Sequence, residues 1–333
     1  MSRFRFRWFN ILLLSSLLLA QCAGRSDSLE LPSSDQYANG DILVTPQWLD
    51  ENIARPEILV IDMRPGELYE RAHIPGAANI PVEDITSTVE GVPFEFELDE
   101  VQEALNRIGL RPESTVVIYD DLGMMSSGRM FWTLEYVGHT DVRLLHGGWN
   151  AWTAGGYDTS DVEPQLTPGE YPIRLDASRL VSAEELLEKL EDPNVAIVDS
   201  RSPAEYTGEV VLADRGGHIP GAVNLPWLDV LTGGDTVYTT QEGWSSELRD
   251  EDVELLKSAA EVQSLLDDLD LSRDQEVITY CQTLWRGAHA YFLLRLMGFE
   301  DVRGYDGSWV EWGNRSDLPV VTGDQPGTLE RAE

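Results

Sequence analysis

Lysine and cysteine are the scarce residues. Among 333 residues there are two lysines, Lys189 and Lys257, and two cysteines, Cys22 and Cys281. Acidic residues outnumber Lys and Arg by 59 to 24, for a formal net charge of −35. Without a basic footprint the chain is a poor partner for nucleic acid, whose phosphates demand one. The acid is spread along the sequence rather than gathered in a tail, which reads as a solvated acidic surface; adaptation to high salt is a sharper version of the same reading. Two cysteines cannot build a disulfide framework. No metal-ligand spacing, phosphate-cradling glycine motif or nucleotide fingerprint is found, so no cofactor or metal is expected. Long apolar runs are missing too. The run at 11–20 is too short and too soon broken for a confident membrane span.

What is present begins with that run. Arg3, Arg5 and Arg7 precede it and "LLLAQCAG" follows, in the order of an export signal: basic region, apolar core, cleavage site. Cys22 stands where a bacterial lipoprotein carries its lipidated cysteine, although Gln21 replaces the small residue usual before it. Lipidation at Cys22, plain cleavage after Cys22 or Gly24, and an uncleaved anchor are the readings in that order. Residues 1–24 are expected to be the signal and 25–40 a flexible tether. The protein is expected to be exported, periplasmic or in the cell envelope, with membrane attachment through an N-terminal lipid. The folded part then keeps one cysteine, Cys281, either buried and inert or reactive. A hydrophobic content of 42% is enough for a buried core, and the length suits two domains.

The chain contains an internal repeat, conserved in order between its halves. "ILVIDMRPGELYERAHIPGAANIP" is matched by "VAIVDSRSPAEYTGE", an insertion and "GHIPGAVNLP". "TVVIYDD" is matched by "EVITYCQ", and "YVGHTDVRLLHGGWNAW" by "LMGFEDVRGYDGSWVEW". Short apolar runs such as "EILVID" and "VAIVDS" predict buried strands. "SAEELLEKLE", with Ser182 and Glu185 as a capping box, "DEVQEALNRIG" and "AEVQSLLDDLD" predict helices. Strands alternating with helices predict an α/β fold in which each half is a parallel sheet flanked by helices on both faces. The expected boundaries are 41–158 and 178–316 for the domains, 159–177 for a Pro- and Gly-bearing linker and 317–333 for a tail. In such sheets ligands sit beyond the carboxyl ends of the strands, which is where Cys281 falls.

The D-x-R motifs of "IDMR" and "VDSR", the two copies of "HIPGA-x-N-x-P" and the strand–Cys–loop–helix followed by "DGSWVEW" resemble the rhodanese superfamily in its tandem two-domain form. The resemblance covers nearly all of the chain after the leader. It implies that Cys281 is the nucleophile and sulfur carrier, and that the first domain, with Asp120 at the matching place, is structural. It implies a sulfurtransferase that moves a sulfane sulfur from a small anionic donor, thiosulfate or 3-mercaptopyruvate, through a persulfide to cyanide or a thiol. The loop Gln282, Thr283, Leu284, Trp285, Arg286 is expected to cradle the sulfur, with backbone N–H groups and a helix N-terminus favouring negative charge. Gly287 is expected to allow the turn into the helix. Arg201 is expected to hold the donor, against the alternative of an ion pair with Asp199 or Glu205 that shapes the loop. Arg215 is a weaker candidate for the cleft. His73 and His218 are read as turn residues rather than bases, and Trp149 and Trp309 as packing residues. Two other readings stand beside the enzyme: a non-catalytic sulfur carrier or binding module, and a phosphatase of similar fold. The latter uses a C-x5-R loop, whereas Cys281 to Arg286 is C-x4-R. The connections at 91–96 and 232–244 are candidates to frame the cleft.

Overall fold

The computed structural model describes residues 36–89, 92–232 and 254–329. The proposed leader, Cys22 and most of the connection at 232–244 lie outside them. In the first half, strands β1 (Leu43–Val44), β2 (Ile58–Asp62), β3 (Ala78–Asn79), β6 (Thr115–Tyr119) and β7 (Val142–Leu145) form one parallel sheet in the order β1-β7-β6-β2-β3. Between β3 and β6, strands β4 (Thr86–Val89) and β5 (Val92–Phe96) make an antiparallel hairpin. Residues 92–96 of the expected connection at 91–96 are therefore a strand. In the second half β8 (Val195–Asp199), β9 (Val223–Asn224), β10 (Glu276–Tyr280) and β11 (Val302–Gly304) form a parallel sheet in the order β11-β10-β8-β9. A bridge from Leu180 to Gly304 stands where β1 pairs with β7 in the first half.

The helices are α1 (Pro46–Asn52), α2 (Gly66–Arg71), α3 (Leu98–Arg107), α4 (Met125–Tyr136), α5 (Gly148–Ala154), α6 (Ala183–Lys189), α7 (Pro203–Thr207), α8 (Ala259–Asp268), α9 (Trp285–Leu296) and α10 (Ser308–Trp312). Capping fixes several starts. The hydroxyls of Thr45, Ser182, Ser202 and Ser258 each accept an N–H of the helix they precede. Complete capping boxes form at Ser202–Glu205 and Ser258–Glu261. At Ser182 only half of one does, because the Glu185 carboxylate turns to Arg303.

Two helices decide the architecture. α4 and α9 leave equivalent strands, β6 and β10, and are buried nearly all round, charged residues included. They cover one another. Phe131 meets Phe292 edge-on with centroids 5.1 Å apart, and the two halves share one continuous core. A Cβ on Gly128 would lie 2.9 Å from the Cα of His289, so only glycine permits this approach.

The boundaries need correction. Residues 37–40 of the expected tether belong to the fold: Tyr37 is buried, its hydroxyl donates to the carbonyl of Lys257, and the N–H of Asn39 donates to Leu296. The expected tail does too. Leu318, Val320 and Val321 are buried, and Val321 pairs with His218 as Ser160 of the linker pairs with His73. Each unit is closed by the strand of chain that follows it, which hides the edge of the "HIPGA" turn.

Candidate active site

The site is built where β10 ends and α9 begins. Cys281 is the first residue past the strand and is 1% exposed. The chain then turns sharply: Leu284 takes the left-handed conformation (φ 61°) and α9 starts at Trp285. A leucine tolerates this because its side chain is wholly buried in the core shared by both halves. The turn was expected to depend on Gly287. That residue is needed for a different reason: a Cβ there would lie 2.9 Å from the carbonyl carbon of Tyr280, so glycine lets α9 settle onto the end of β10. Gln282 donates from its side chain to the carbonyl of Leu212, in the insertion of the second half. Thr283 is half-buried, and Trp285 is half-buried against the core.

Arg286 is 2% exposed and grips Glu205 of α7 with both terminal nitrogens, at 2.6 and 2.9 Å. Burial pushes the Glu205 carboxyl up. The hydrogen bonds and charge of Arg286, the charge of Arg201 and the N–H of Ser202 outweigh it and hold the group at about 2. Burial likewise works against the Arg286 cation, but Glu205, with a smaller contribution from the charge of Cys281, keeps it above its ordinary value.

Arg201 is not placed to hold a donor as expected. It is 1% exposed, its Nε and Nη2 bind the Asp199 carboxylate at 2.6–3.0 Å, and Nη2 also donates to Gly217 at 2.7 Å. Its guanidinium lies 4.3 Å from the Trp309 ring centroid. The first half repeats the arrangement: Arg64 binds Asp62 and the carbonyl of Ala72 and lies 3.9 Å from the Trp149 ring centroid. An interaction duplicated where there is no cysteine belongs to the scaffold, which is the ion-pair alternative. Arg215 also serves the scaffold, donating to the carbonyls of Gly313, Trp312, Arg315 and Leu318. The ring nitrogens of His218 face the carbonyls of Tyr206 and Gln325, and those of His73 face Tyr69 and Val162, away from Cys281.

Each arginine is paired with a carboxylate, and of the two it is Arg286 whose charge interacts with Cys281. The first half shows what this loop does with an anion. Asp120, one residue past β6 as Cys281 is past β10, accepts the N–H groups of Leu122 (3.1 Å), Met124 (3.0 Å) and Ser127 (2.7 Å). Met124 is left-handed (φ 66°), as Leu284 is, and a twelve-residue helix follows in both halves. The first loop is one residue longer and closes a nest around a carboxylate that is part of the chain.

One partnership and one residue of the site went unrecognised in the sequence. Glu205 was weighed only as a partner of Arg201; its pairing with Arg286 could have been found by aligning the repeats, because Leu68 holds its place in the first half and Ser126 holds that of Arg286. The ion pair therefore accompanies the cysteine. Ser308 replaces Gly148 in the same comparison, and its hydroxyl accepts the N–H of Cys281 at 3.4 Å.

Comparison with known proteins agrees with this construction. The rhodanese-like domain family matches residues 45–155 and again 182–315. The chain is 34% identical over 313 residues to the thiosulfate sulfurtransferase of Corynebacterium glutamicum, covering 88% of this chain and 94% of that one. It is 32% identical over 290 residues to the thiosulfate sulfurtransferase of Azotobacter vinelandii (86% and 99%). It is also 32% identical over 304 residues to the sulfur carrier protein TtuD of Thermus thermophilus (87% and 99%). Among solved structures it is similar to the anaerobic ergothioneine biosynthesis enzyme of Chlorobium limicola, with a TM-score of 0.72 and 26% identity over 86% of this chain and 71% of that one. Two rhodanese-like units, a nucleophile's position filled in only one of them, and relatives matched over almost their whole length make this chain a member of the tandem-domain rhodanese family and a sulfurtransferase.

Proposed function

We propose that the protein takes the sulfane sulfur of thiosulfate onto Cys281 as a persulfide and passes it to cyanide or a thiol. The observation that carries this reading is the correspondence of the two loops: Asp120, whose carboxylate accepts three loop N–H groups, stands in the first half where the Cys281 thiol stands in the second, each followed by a left-handed residue and a twelve-residue helix. The Cys281 thiolate attacks the outer sulfur of thiosulfate, the S–S bond breaks, and sulfite leaves with the bonding pair. Backbone N–H groups and the first turn of α9 stabilise the charge on the new persulfide. An acceptor nucleophile then takes the outer sulfur, and Cys281 departs as thiolate. The buried Arg286–Glu205 pair holds α7 against the loop and keeps the cradle in shape. Because Arg201 and Arg286 are both neutralised, the donor's second charge falls to backbone donors. This makes 3-mercaptopyruvate, with a single carboxylate, the alternative donor.

A solved form of the enzyme EanB carries a cysteine persulfide, and the chain resembles it at 26% identity and a TM-score of 0.71 over 86% of its own length. That supports persulfide chemistry on this fold. The leader reading at residues 1–24 supports action outside the cytoplasm, with Cys22 as the lipid attachment point; the mass of the N-terminal fragment from membranes tests it.

Intact mass after incubation with each donor tests the chemistry. A gain of one sulfur from thiosulfate, removed by cyanide and absent in Cys281→Ser, is expected. Loading from 3-mercaptopyruvate alone would transfer the proposal to that donor. No loading from either, with a free thiol at Cys281, would sink it.

A further inference from the structure

The cysteine-free half reaches the active site through one buried ion pair. Arg129 of α4 is fully buried, and its Nη1 lies 2.5 Å from Oδ1 of Asp306, in the turn between β11 and α10 of the other half. The N–H of Phe96, at the end of β5, donates to Oδ2 of the same carboxylate at 2.8 Å. Trp132, one turn on from Arg129, presses its indole against Gly304, where a Cβ would lie 2.7 Å from Nε1. Both oxygens of the Asp306 carboxylate are thus held by the first half.

The turn that Asp306 belongs to is the back wall of the sulfur site. The Ser308 hydroxyl donates to the carbonyl of Tyr305 at 2.9 Å and accepts the N–H of Cys281. The N–H of Trp309 donates to the carbonyl of Cys281 at 2.9 Å, and that of Val310 to Gln282 at 3.0 Å. Residues two to four positions after Asp306 therefore hold the backbone of the nucleophile and of its neighbour, and Tyr305, just before it, anchors the first of them.

The repeat supplies a control within the molecule. His146 stands where Asp306 stands, and the N–H of Trp149 donates to Asp120 as that of Trp309 does to Cys281. His146 is also reached from the opposite half, by the N–H of Leu256 at 3.2 Å. The grip is reciprocal, but its charged form exists only behind the cysteine. A buried ion pair is an expensive way to gain stability and a good way to fix one geometry. We infer that Arg129, though it belongs to the half without a nucleophile, is a positioning residue for sulfur transfer, acting through Asp306 on the turn that holds Cys281.

This inference rests on the sulfurtransfer reading, and the experiment separates the two. Full-length wild type, Arg129→Met, Arg129→Lys and Asp306→Asn are compared for thiosulfate–cyanide turnover at a temperature where circular dichroism shows each folded. A small displacement of a reacting group is enough for a loss of about tenfold or more in kcat, so Arg129→Met and Asp306→Asn are expected to fall by that factor with KM within about threefold. Arg129→Lys should recover most of the loss, and the Met/Asn double variant should be no worse than either single one. A lower melting temperature with kcat within about twofold of wild type would overturn the inference, because a merely structural residue acts in that way. If Arg129→Met does not fold, Asp306→Asn is read alone by the same criterion. If wild type itself fails to load sulfur, the sulfurtransfer reading is what fails. The rate of Cys281 alkylation by iodoacetamide then decides: a change in Arg129→Lys or Asp306→Asn supports positioning, and equal rates overturn it.

Discussion

The two halves differ most where they correspond most closely. β6 and β10 each deliver one residue to the mouth of a loop that is closed by a left-handed leucine or methionine and a buried twelve-residue helix. In the first half that residue is Asp120, whose carboxylate consumes the loop's N–H groups internally. In the second it is Cys281, which brings a thiol in place of the carboxylate. The surroundings have diverged in step. Glu205 and Arg286 form a buried pair beside the cysteine, where Leu68 and Ser126 stand in the first half. Asp306 and Arg129 form another behind it, where His146 and His289 stand. One loop is a nest filled by its own chain and the other begins at a thiol; charge has collected around the second.

The largest test of that comparison is the pair beside the cysteine. Glu205→Gln leaves the Arg286 cation buried with no carboxylate, a change that costs about 3–5 kcal/mol. Urea unfolding should show a loss of that size together with lost turnover. A loss below about 1 kcal/mol would mean that the pair is solvated and does not organise the cradle.

Acid should act next, and through the other interface. Burial holds His146 and His289 neutral, with both lowered from 6.5 to about 4; for His289 this outweighs an opposing pull from the backbone of Gly123. Between those values the unfolded chain binds protons that the folded chain refuses, so stability is full above about 6.5 and falls as pH drops toward 4. Each histidine can contribute as much as about 3 kcal/mol to that fall. Glu205 adds a second loss at lower pH. Its carboxyl moves from 4.5 to about 2 on folding, so its contribution is present above 4.5 and disappears as pH falls toward 2. Unfolding midpoints measured from pH 7 to 4.5 should decline; a flat profile would show that the histidines are not buried neutral.

Asp120→Ala should separate the halves more gently. Three loop N–H groups lose their acceptor, at a cost of about 1–3 kcal/mol, while turnover per folded molecule stays within about twofold because the cysteine loop is untouched. A proportionate fall in turnover would mean that the first nest takes part in the chemistry. Smallest is Ser308→Gly, which copies Gly148. The serine sits at φ 50°, so glycine relieves strain while removing one long hydrogen bond. A net stability change within about 1 kcal/mol and a severalfold drop in kcat are expected, and unchanged kcat would show that the hydroxyl does not matter to Cys281.

Much of this was legible in the sequence because the chain repeats itself. The order of the motifs predicted two parallel α/β units, and the strand–Cys–loop pattern put Cys281 at a strand's carboxyl end. The roles of the arginines were harder. Arg201 and Arg64 occupy the same motif, and reading the motif once suggested a ligand, whereas its duplication marks a scaffold element. Gly287 was assigned to a turn because glycine is common in turns, but the turn falls on Leu284, which its burial holds in place. The edges of the domains were misplaced at Tyr37 and Leu318 because single apolar residues in polar stretches carry no periodicity.

The sequence by itself determined the repeat, most of the helices and strands, and the place of Cys281 at the end of a strand. These follow from local patterning and from side-chain chemistry, which need no neighbours. Tertiary structure decided which charges face one another. Arg286 met Glu205 across 81 residues and Arg129 met Asp306 across 177, separations at which no spacing rule operates. A buried charge must find its partner in space. For Arg129 and Asp306 that place depends on how α4 and α9 pack, which brings the two halves together.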